Sequence, residues 1–299
     1  MCFDEMFFKG EPADHGSKLL AALKHFESRV SRLGSLGLPR AGRALGSWMK
    51  AAPSSQGLPF PWIALCAVIG LLVERGRLAS ALHLLVAFRS YLRPGASDLL
   101  RVKQLVPPQP MAGQAYQAWG LLLNPVEDRT PGKTGLLDEA ILLDSEPWLH
   151  PFFVALTSHR DPESFLWPIR GAELVEEFQL ACLSLALSHL KPCRYALRRG
   201  GASDDLLTRR RSHLAVKRRG GWATDASLKR YGKETRLLKE IGRIPPAVLA
   251  FGSLVSSNLP GVLHRTFPLP PVPRPGLPLP ALPVPRAVRG RKRARQPES

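Results

Sequence analysis

The spacing of hydrophobic residues predicts a mainly helical chain. Apolar side chains recur at helical intervals over residues 17–33, 62–73, 78–92 and 172–189. A shorter helix is predicted over residues 41–51. Glycine or proline lies between most of these segments, as is usual where helices end. The hydrophobic pattern therefore favours a helical core.

Residues 117–144 follow a different pattern. Two short runs rich in Leu and Ile flank a polar loop that contains a Gly-Lys-Thr-Gly turn at residues 132–135. Apolar runs separated by such a turn are typical of a β-hairpin. The sequence therefore predicts a mainly α fold with a small antiparallel β-sheet, of the α+β class.

Proline usage divides the chain further. Of the 29 prolines, 11 lie from Pro260 onward, where Pro alternates with Leu, Val or Arg. Such a sequence cannot form a packed core, so residues 259–299 are predicted to be a disordered, polyproline-like tail. A Pro- and Ser-rich stretch at 53–61 is predicted to be an inter-domain linker.

Composition excludes several classes of protein. The four cysteines are widely separated and form no CxxC pair, which excludes a disulfide scaffold and an ordinary zinc finger. The longest apolar run, Trp62–Val73, has 12 residues and is too short to span a bilayer. The acidic amino terminus lacks the basic region of a signal peptide. A soluble intracellular protein with no membrane partner is expected.

The net charge of +18 is unevenly distributed. Residues 1–190 are neutral, whereas residues 191–243 carry +11 and residues 260–299 carry +7. A concentrated positive charge indicates a polyanionic partner, and nucleic acid is favoured over a merely solvated basic face. The basic string Arg289–Arg295 predicts nuclear localisation, with a solvated tail as the alternative interpretation.

Five residues carry the candidate chemistry. Arg93 follows Tyr-Leu at the end of an apolar helix, and Arg198 follows Tyr-Ala-Leu 105 residues later. Trp222 comes 24 residues after Arg198, and Tyr231 follows Trp222 by nine residues in a basic helix. Lys133 lies between the two arginines, in the turn of the predicted hairpin.

This order and spacing resembles the tyrosine recombinases, or phage-type integrases, and most of all divergent eukaryotic members such as the recombinase-like proteins of dinoflagellates and mobile elements. The resemblance covers about residues 55–242. It implies a recombinase catalytic domain over 62–244, preceded by a truncated helical core-binding domain at 1–52. It also implies DNA as partner, assembly as a tetramer on paired sites, and neither cofactor nor metal.

The resemblance assigns a role to each residue. Arg93 and Arg198 would bind phosphate oxygens and stabilise the charge of the transition state. Tyr231 would attack phosphorus and form a 3′-phosphotyrosyl link. Lys133 would protonate the leaving 5′ oxygen as general acid. Trp222 would buttress the phosphate.

The sequence departs from the family pattern in the second arginine box. Tyr195 stands where the first histidine is usual, and a tyrosine, with a pKa near 10, is a poor proton shuttle at neutral pH. Arg199 replaces the second histidine, and Ala96 stands where an acidic residue is usual. The residues predicted to contact DNA phosphates are Arg199, Lys217, Arg218, Arg219, Lys229 and Arg230.

Two other functions remain open at the level of sequence. The altered second box is compatible with a catalytically degenerate, DNA-binding remnant of a mobile element. The proline-rich tail is compatible with an interaction protein that binds the aromatic grooves of adaptor domains. In addition, the apolar residues Ala247–Val255, within a segment at 245–258, are predicted to dock on a neighbouring subunit.

Overall fold

A computed structural model describes residues 2–31, 33–52, 57–130, 132, 135, 137–225, 228, 234–273 and 275. Backbone contacts divide the chain into two units, residues 1–57 and 58–299. The α-helices are α1 Cys2–Phe8, α2 Ala13–Phe26, α3 Pro39–Ala51, α4 Trp62–Glu74, α5 Leu78–Arg89, α6 Pro94–Leu99, α7 His150–Thr157, α8 Gly171–Ser184, α9 Arg194–Leu207, α10 His213–Arg219, α11 Glu234–Ile241, α12 Pro246–Ser257 and α13 Leu259–Leu263. The strands are β1 Leu105–Val106, β2 Gly120–Leu123 and β3 Glu139–Leu142. Short 3-10 helices span Ser28–Val30, Val102–Gln104, Pro110–Ala112, Gln114–Tyr116, Val126–Asp128, Pro147–Leu149 and Ser188–Leu190.

The first unit contains α1, α2 and α3. Their shared core is small and centres on Ala13, Leu45 and Trp48. Helix α2 ends at Phe26, earlier than the predicted end at residue 33. The carboxylate of Glu27 accepts a hydrogen bond from the backbone N–H of Arg29, which favours a 3-10 turn over continued helix.

The second unit is built around α4. Ten consecutive residues of this helix, 64–73, are buried, because helices α5, α8, α9 and α12 pack on it. A helix that is apolar on every side is stable only when it is covered on every side. Helix α4 has 13 residues, and no helix in the described parts of the chain is both long and apolar enough to cross a membrane.

The three strands form one antiparallel sheet in the order β1-β2-β3. Leu121 pairs with Leu105 on one side and with Ile141 on the other, and all three side chains are buried in the core. The predicted small antiparallel sheet is therefore confirmed. The hairpin predicted over 117–144 supplies two of its strands, and the two-residue strand β1 was not anticipated.

Helix α12, within the segment 245–258 that was predicted to dock on a neighbouring subunit, packs in its own chain. Val248, Phe251 and Val255 are buried in the core of their own chain. The ring of Phe251 lies over Gly70 of α4, where an added Cβ would come within 2.8 Å of it. The apolar face that suggested a docking segment is thus used within the chain.

The beginning of the proline-rich region is also corrected. Residues 259–273 belong to the folded unit, because Leu259, Val262 and Leu263 of α13 and the later Val272 are buried in the main core. Pro260 is compatible with this helix because it lies in the first turn, where a backbone N–H has no helical partner. Residues 276–299, which carry the predicted nuclear and adaptor-binding segments, lie outside the described residues.

The predicted domain boundaries change accordingly. The core of the second unit begins before residue 62, since Phe60 is 1% exposed and its N–H donates to the carbonyl of Ala196. It continues to Val272, past the predicted end at 244. Of the predicted linker, residues 53–56 lie outside the described residues.

Candidate active site

Helix α9 places Arg198 inside the second unit. The helix approaches α5 closely at Gly201, where an added Cβ would lie 1.9 Å from the carbonyl oxygen of Phe88. Only glycine permits this approach, and the side chain of Arg198, on the same helix, is 6% exposed. The glycines that follow Arg198 in the sequence therefore serve helix packing.

The guanidinium of Arg198 joins three segments of the predicted constellation. One Nη donates a hydrogen bond to the backbone carbonyl of Tyr91, two residues before Arg93. The other Nη donates to the carbonyl of Gly220. The Cζ atom lies 4.8 Å from the ring centroid of Trp222, within the range of a cation–π contact. The two arginine boxes and the Gly-Gly-Trp segment thus meet at Arg198.

The turn after α10 positions Trp222. Gly221 has φ +59°, and the N–H groups of Gly221 and Trp222 donate to the carbonyls of Arg218 and Lys217. These are the two bonds of a Schellman motif, in which a left-handed residue reverses the chain after a helix. The reversal brings the Trp222 ring onto Tyr91, with centroids 6.2 Å apart and planes inclined by 26°.

Arg93 is the N-cap residue of α6 and is partly buried. Its guanidinium has no hydrogen bond or ion pair with any residue that the structure describes. Helix α6 is held to the amino end of α9, because Arg194 donates to the carboxylate of Asp98 and to the carbonyl of Pro94. A guanidinium without an internal partner is available to bind an anion.

The two variant residues of the second box differ in environment. Tyr195 is 49% exposed, at the start of α9. Arg199 is partly buried, donates a long hydrogen bond of 3.4 Å to the carbonyl of Leu58, and has an Nη 3.7 Å from the sulfur of Cys193. Tyr195 is thus the more accessible of the two.

The basic residues of α10 have three different environments. Arg218 is exposed and makes no side-chain hydrogen bond or ion pair within the described part of the chain. Lys217 pairs with Asp225 at 2.6 Å and is 25% exposed. Arg219 is 7% exposed and donates to the carbonyls of Arg89 and Leu142 at 3.0 and 2.7 Å. Its environment favours a structural role over the predicted contact with DNA.

Four predicted site residues cannot be placed. Lys133, Lys229, Arg230 and Tyr231 lie outside the described residues. Their roles as general acid, phosphate contacts and nucleophile remain predictions.

A buried ionic network, which sequence reasoning missed, surrounds the constellation. Arg89 pairs with Glu146 at 2.8 Å and with Asp204 at 3.0 Å, and its guanidinium lies 3.7 Å from the ring centroid of Trp62. Burial raises the pKa of the Asp204 carboxyl, against the opposing effect of Arg89. The partners are separated by as many as 115 positions, so no local spacing reveals them.

The second part of this network centres on Asp205. Its carboxylate accepts hydrogen bonds from the hydroxyl of Tyr91 and, at 3.0 Å, from Nε of Arg211. Arg211 in turn forks onto Asp144, just after β3, at 2.5 and 3.1 Å. Burial, reinforced by the bond to Asp205, raises the pKa of the Tyr91 hydroxyl. The only sequence signal for this buried network was the Asp204-Asp205 pair, which directly follows the small residues 200–203 of α9.

Metal binding has no visible basis in the described parts of the chain, where no three His, Cys, Asp or Glu side chains form a group that could hold an ion.

In comparisons with known proteins, no family model matches the chain, and no curated protein matches it significantly. The functional interpretation therefore depends on the contacts of Arg198.

Proposed function

We propose that this protein is a tyrosine-recombinase-like DNA strand transferase, which cleaves and rejoins DNA through a 3′-phosphotyrosyl intermediate. The observation that carries the proposal is the convergence at Arg198, whose guanidinium contacts Tyr91, Gly220 and Trp222. Those residues lie up to 131 positions apart in the sequence, at the places that the resemblance requires. The mainly helical fold with a small antiparallel sheet supports the same proposal.

The proposed reaction needs no metal, because guanidinium groups supply the positive charge. Arg93 and Arg198 bind the non-bridging oxygens of the scissile phosphate and stabilise their charge in the transition state. The oxygen of Tyr231 attacks phosphorus as its hydroxyl proton passes to solvent, and the P–O bond to the 5′ oxygen breaks. Lys133 donates a proton to that leaving oxygen. Attack by a 5′ hydroxyl on the phosphotyrosine reverses these steps and rejoins the strand.

DNA binding in the proposal rests on exposed positive charge. Arg218 is exposed, and neither Arg218 nor Arg93 has a side-chain hydrogen bond or ion pair with another residue in the described parts of the chain. Contacts of this type are made with phosphates, so they position the protein without selecting a DNA sequence. Assembly on paired DNA sites, nuclear localisation and adaptor binding by the proline-rich segment belong to the proposal as additional expectations.

A second candidate function is DNA binding without strand cleavage. One observation favours it, since Arg198 is 6% exposed and both of its Nη atoms already donate to backbone carbonyls. The replacement of a histidine by Tyr195 points in the same direction, because a tyrosine hydroxyl does not exchange protons readily near pH 7. This candidate retains salt-sensitive DNA binding but forms no covalent intermediate.

A covalent trapping experiment distinguishes the two functions. The full chain is incubated with a randomised pool of labelled suicide duplexes, whose nicked strand loses a short fragment after cleavage. Detergent-resistant protein–DNA adducts are counted on denaturing gels, and the modified peptide is identified by mass spectrometry. Tyr231→Phe removes the proposed nucleophile, and Tyr116→Phe serves as control because Tyr116 is 59% exposed, in the 3-10 helix Gln114–Tyr116.

Strand transfer predicts adducts with the natural chain and with Tyr116→Phe, none with Tyr231→Phe, and a modified peptide that contains Tyr231. Salt-sensitive binding without any adduct supports the second candidate and excludes the first. A chain with no measurable affinity for DNA excludes both.

A further inference from the structure

Tyr91 occupies a backbone position that normally requires glycine. Helix α5 ends in a Schellman motif, in which the N–H groups of Tyr91 and Leu92 donate to the carbonyls of Phe88 and Ala87. Tyr91 is the left-handed residue of this motif, with φ +51°. A bulky residue is strained in this conformation and persists there only where its surroundings hold it. A large side chain at this point therefore calls for an explanation.

The side chain of Tyr91 is held on every side. It is 1% exposed, and its hydroxyl donates to the carboxylate of Asp205. Its ring stacks on Trp222, and the guanidinium of Arg219 lies 5.6 Å from the ring centroid. These contacts fix the ring, and the ring in turn fixes the strained backbone.

The left-handed backbone has a direct consequence for the candidate site. It presents the carbonyl oxygen of Tyr91 to Nη1 of Arg198. Arg93 follows only two residues later, at the start of α6. The orientation of Tyr91 therefore affects one arginine through a hydrogen bond and the other through the backbone.

The anchor of Tyr91 is itself fixed to the sheet. Asp205 is 3% exposed and accepts a second hydrogen bond from Arg211, which forks onto Asp144 beyond the end of β3. Arg219 makes a parallel connection, because it donates to the carbonyl of Leu142 in β3 and lies over the Tyr91 ring. The position of Tyr91 is thus set jointly by α9, α10 and the sheet.

We infer that Tyr91 is a positioning residue for the proposed phosphate site, anchored by Asp205, which orients Arg198 through its carbonyl and Trp222 through its ring. The part of this inference that concerns strand cleavage rests on the proposed function. Its structural part, that the Tyr91 hydroxyl holds Trp222 in place, is independent of catalysis.

The experiment compares Tyr91→Phe and Asp205→Asn with the control Tyr116→Phe. Tyr91→Phe removes only the hydroxyl, and Asp205→Asn keeps an acceptor for it but removes the negative charge. Each protein is labelled with 5-fluorotryptophan, and the resonance of Trp222 among the six tryptophans is assigned from Trp222→Phe. DNA affinity and the rate of adduct formation are then measured at a temperature where all variants are folded.

The inference predicts that Tyr91→Phe shifts or broadens the Trp222 fluorine resonance and lowers the adduct rate about ten-fold or more, since small displacements of catalytic groups are costly. DNA affinity is expected to stay within about two-fold, as the phosphate contacts that dominate binding are retained. Asp205→Asn provides the same readouts if Tyr91→Phe fails to fold. Tyr116→Phe should change none of them.

The inference is overturned if the Trp222 resonance is unchanged in both Tyr91→Phe and Asp205→Asn. It is also overturned if a variant whose resonance has moved forms adducts at the same rate as the natural protein. Failure of the proposed function has a different signature, because the unmutated chain then forms no adduct at all. In that case the fluorine resonance alone decides whether Tyr91 holds Trp222.

Discussion

Arg194 forks onto the carboxylate of Asp98, with Nη–Oδ distances of 2.5 and 2.6 Å, and thereby joins α9 to α6. Arg194 is 9% exposed and Asp98 is 30% exposed, so the pair is largely shielded from water. Helix α6 begins directly after Arg93, and α9 contains Arg198. The spacing between the two proposed phosphate-binding arginines therefore depends on this ion pair.

Removal of the carboxylate should destabilise the fold. In Asp98→Ala the guanidinium of Arg194 remains mostly buried without its charged partner, so the free energy of unfolding should fall by about 2 kcal/mol. Urea denaturation measures this change. Glu163→Ala is the matched control, because Glu163 pairs with Arg101 but is 54% exposed, and its loss should stay below about 1 kcal/mol. Equal losses in the two variants would contradict the role given to Arg194 and Asp98.

The packing of α12 within its own chain makes a second prediction. Phe251 is 4% exposed against α4, so Phe251→Ala should reduce the free energy of unfolding by about 3–5 kcal/mol. The urea midpoint of the natural protein should not depend on protein concentration if this contact is made within one chain. A midpoint that rises with concentration would instead indicate docking between subunits.

The buried histidine of α5 predicts a pH dependence of stability. His83 is fully buried, its Nε2 lies 2.6 Å from Ser97 Oγ, and burial together with the charge of Arg194 lowers its pKa to about 3. Between pH 6.5 and about pH 3, His83 is protonated in the unfolded chain but stays neutral in the folded chain. Folding stability should therefore be lost as the pH falls from about 6.5 toward 3, by up to ~1.4 kcal/mol per pH unit.

Urea denaturation at several pH values tests this effect against His83→Phe, which keeps an aromatic ring against Trp167 but cannot titrate. The unfolding free energy of the natural protein should decline more steeply with acid than that of His83→Phe. The control His213→Phe, at an exposed position, should follow the natural protein. Parallel curves for all three proteins would show that His83 does not titrate differently on folding.

The same substitution should affect DNA binding at one of two neighbouring arginines and stability at the other. Arg218→Ala removes an exposed charge, so it should weaken DNA binding and reduce the slope of log affinity against log salt by about one, with little change in stability. Arg219→Ala removes the bonds to Arg89 and Leu142 and should lower the melting temperature instead. Salt titrations of DNA binding and thermal melts distinguish the two. The reverse assignment would refute the orientation of α10.

The helices and the hairpin could be predicted because their signals are local. Helix α4 follows from a continuous apolar run, and β2 and β3 follow from two short apolar runs around a polar turn. The candidate constellation came from the resemblance, since Arg93, Arg198 and Trp222 were assigned from the order and spacing of motifs that resemble those of the tyrosine recombinases. Helix ends were less accurate, because side-chain hydrogen bonds such as that of Glu27 decide them.

The sequence by itself thus determined the mainly helical fold class, helix α4 and the β2–β3 hairpin, whereas the core roles of α12 and α13 emerged only from the structure. Only the tertiary structure decided which charges face inward. Arg218 and Arg219 are chemically identical neighbours, yet one is exposed and the other is 7% exposed. Burial of a charge is tolerated only where distant groups neutralise or hydrogen-bond it. Folding brings the carbonyl of Arg89 and the carboxylate of Asp144 next to Arg219. These contacts cannot be predicted from a local sequence pattern because the partners are far apart along the chain.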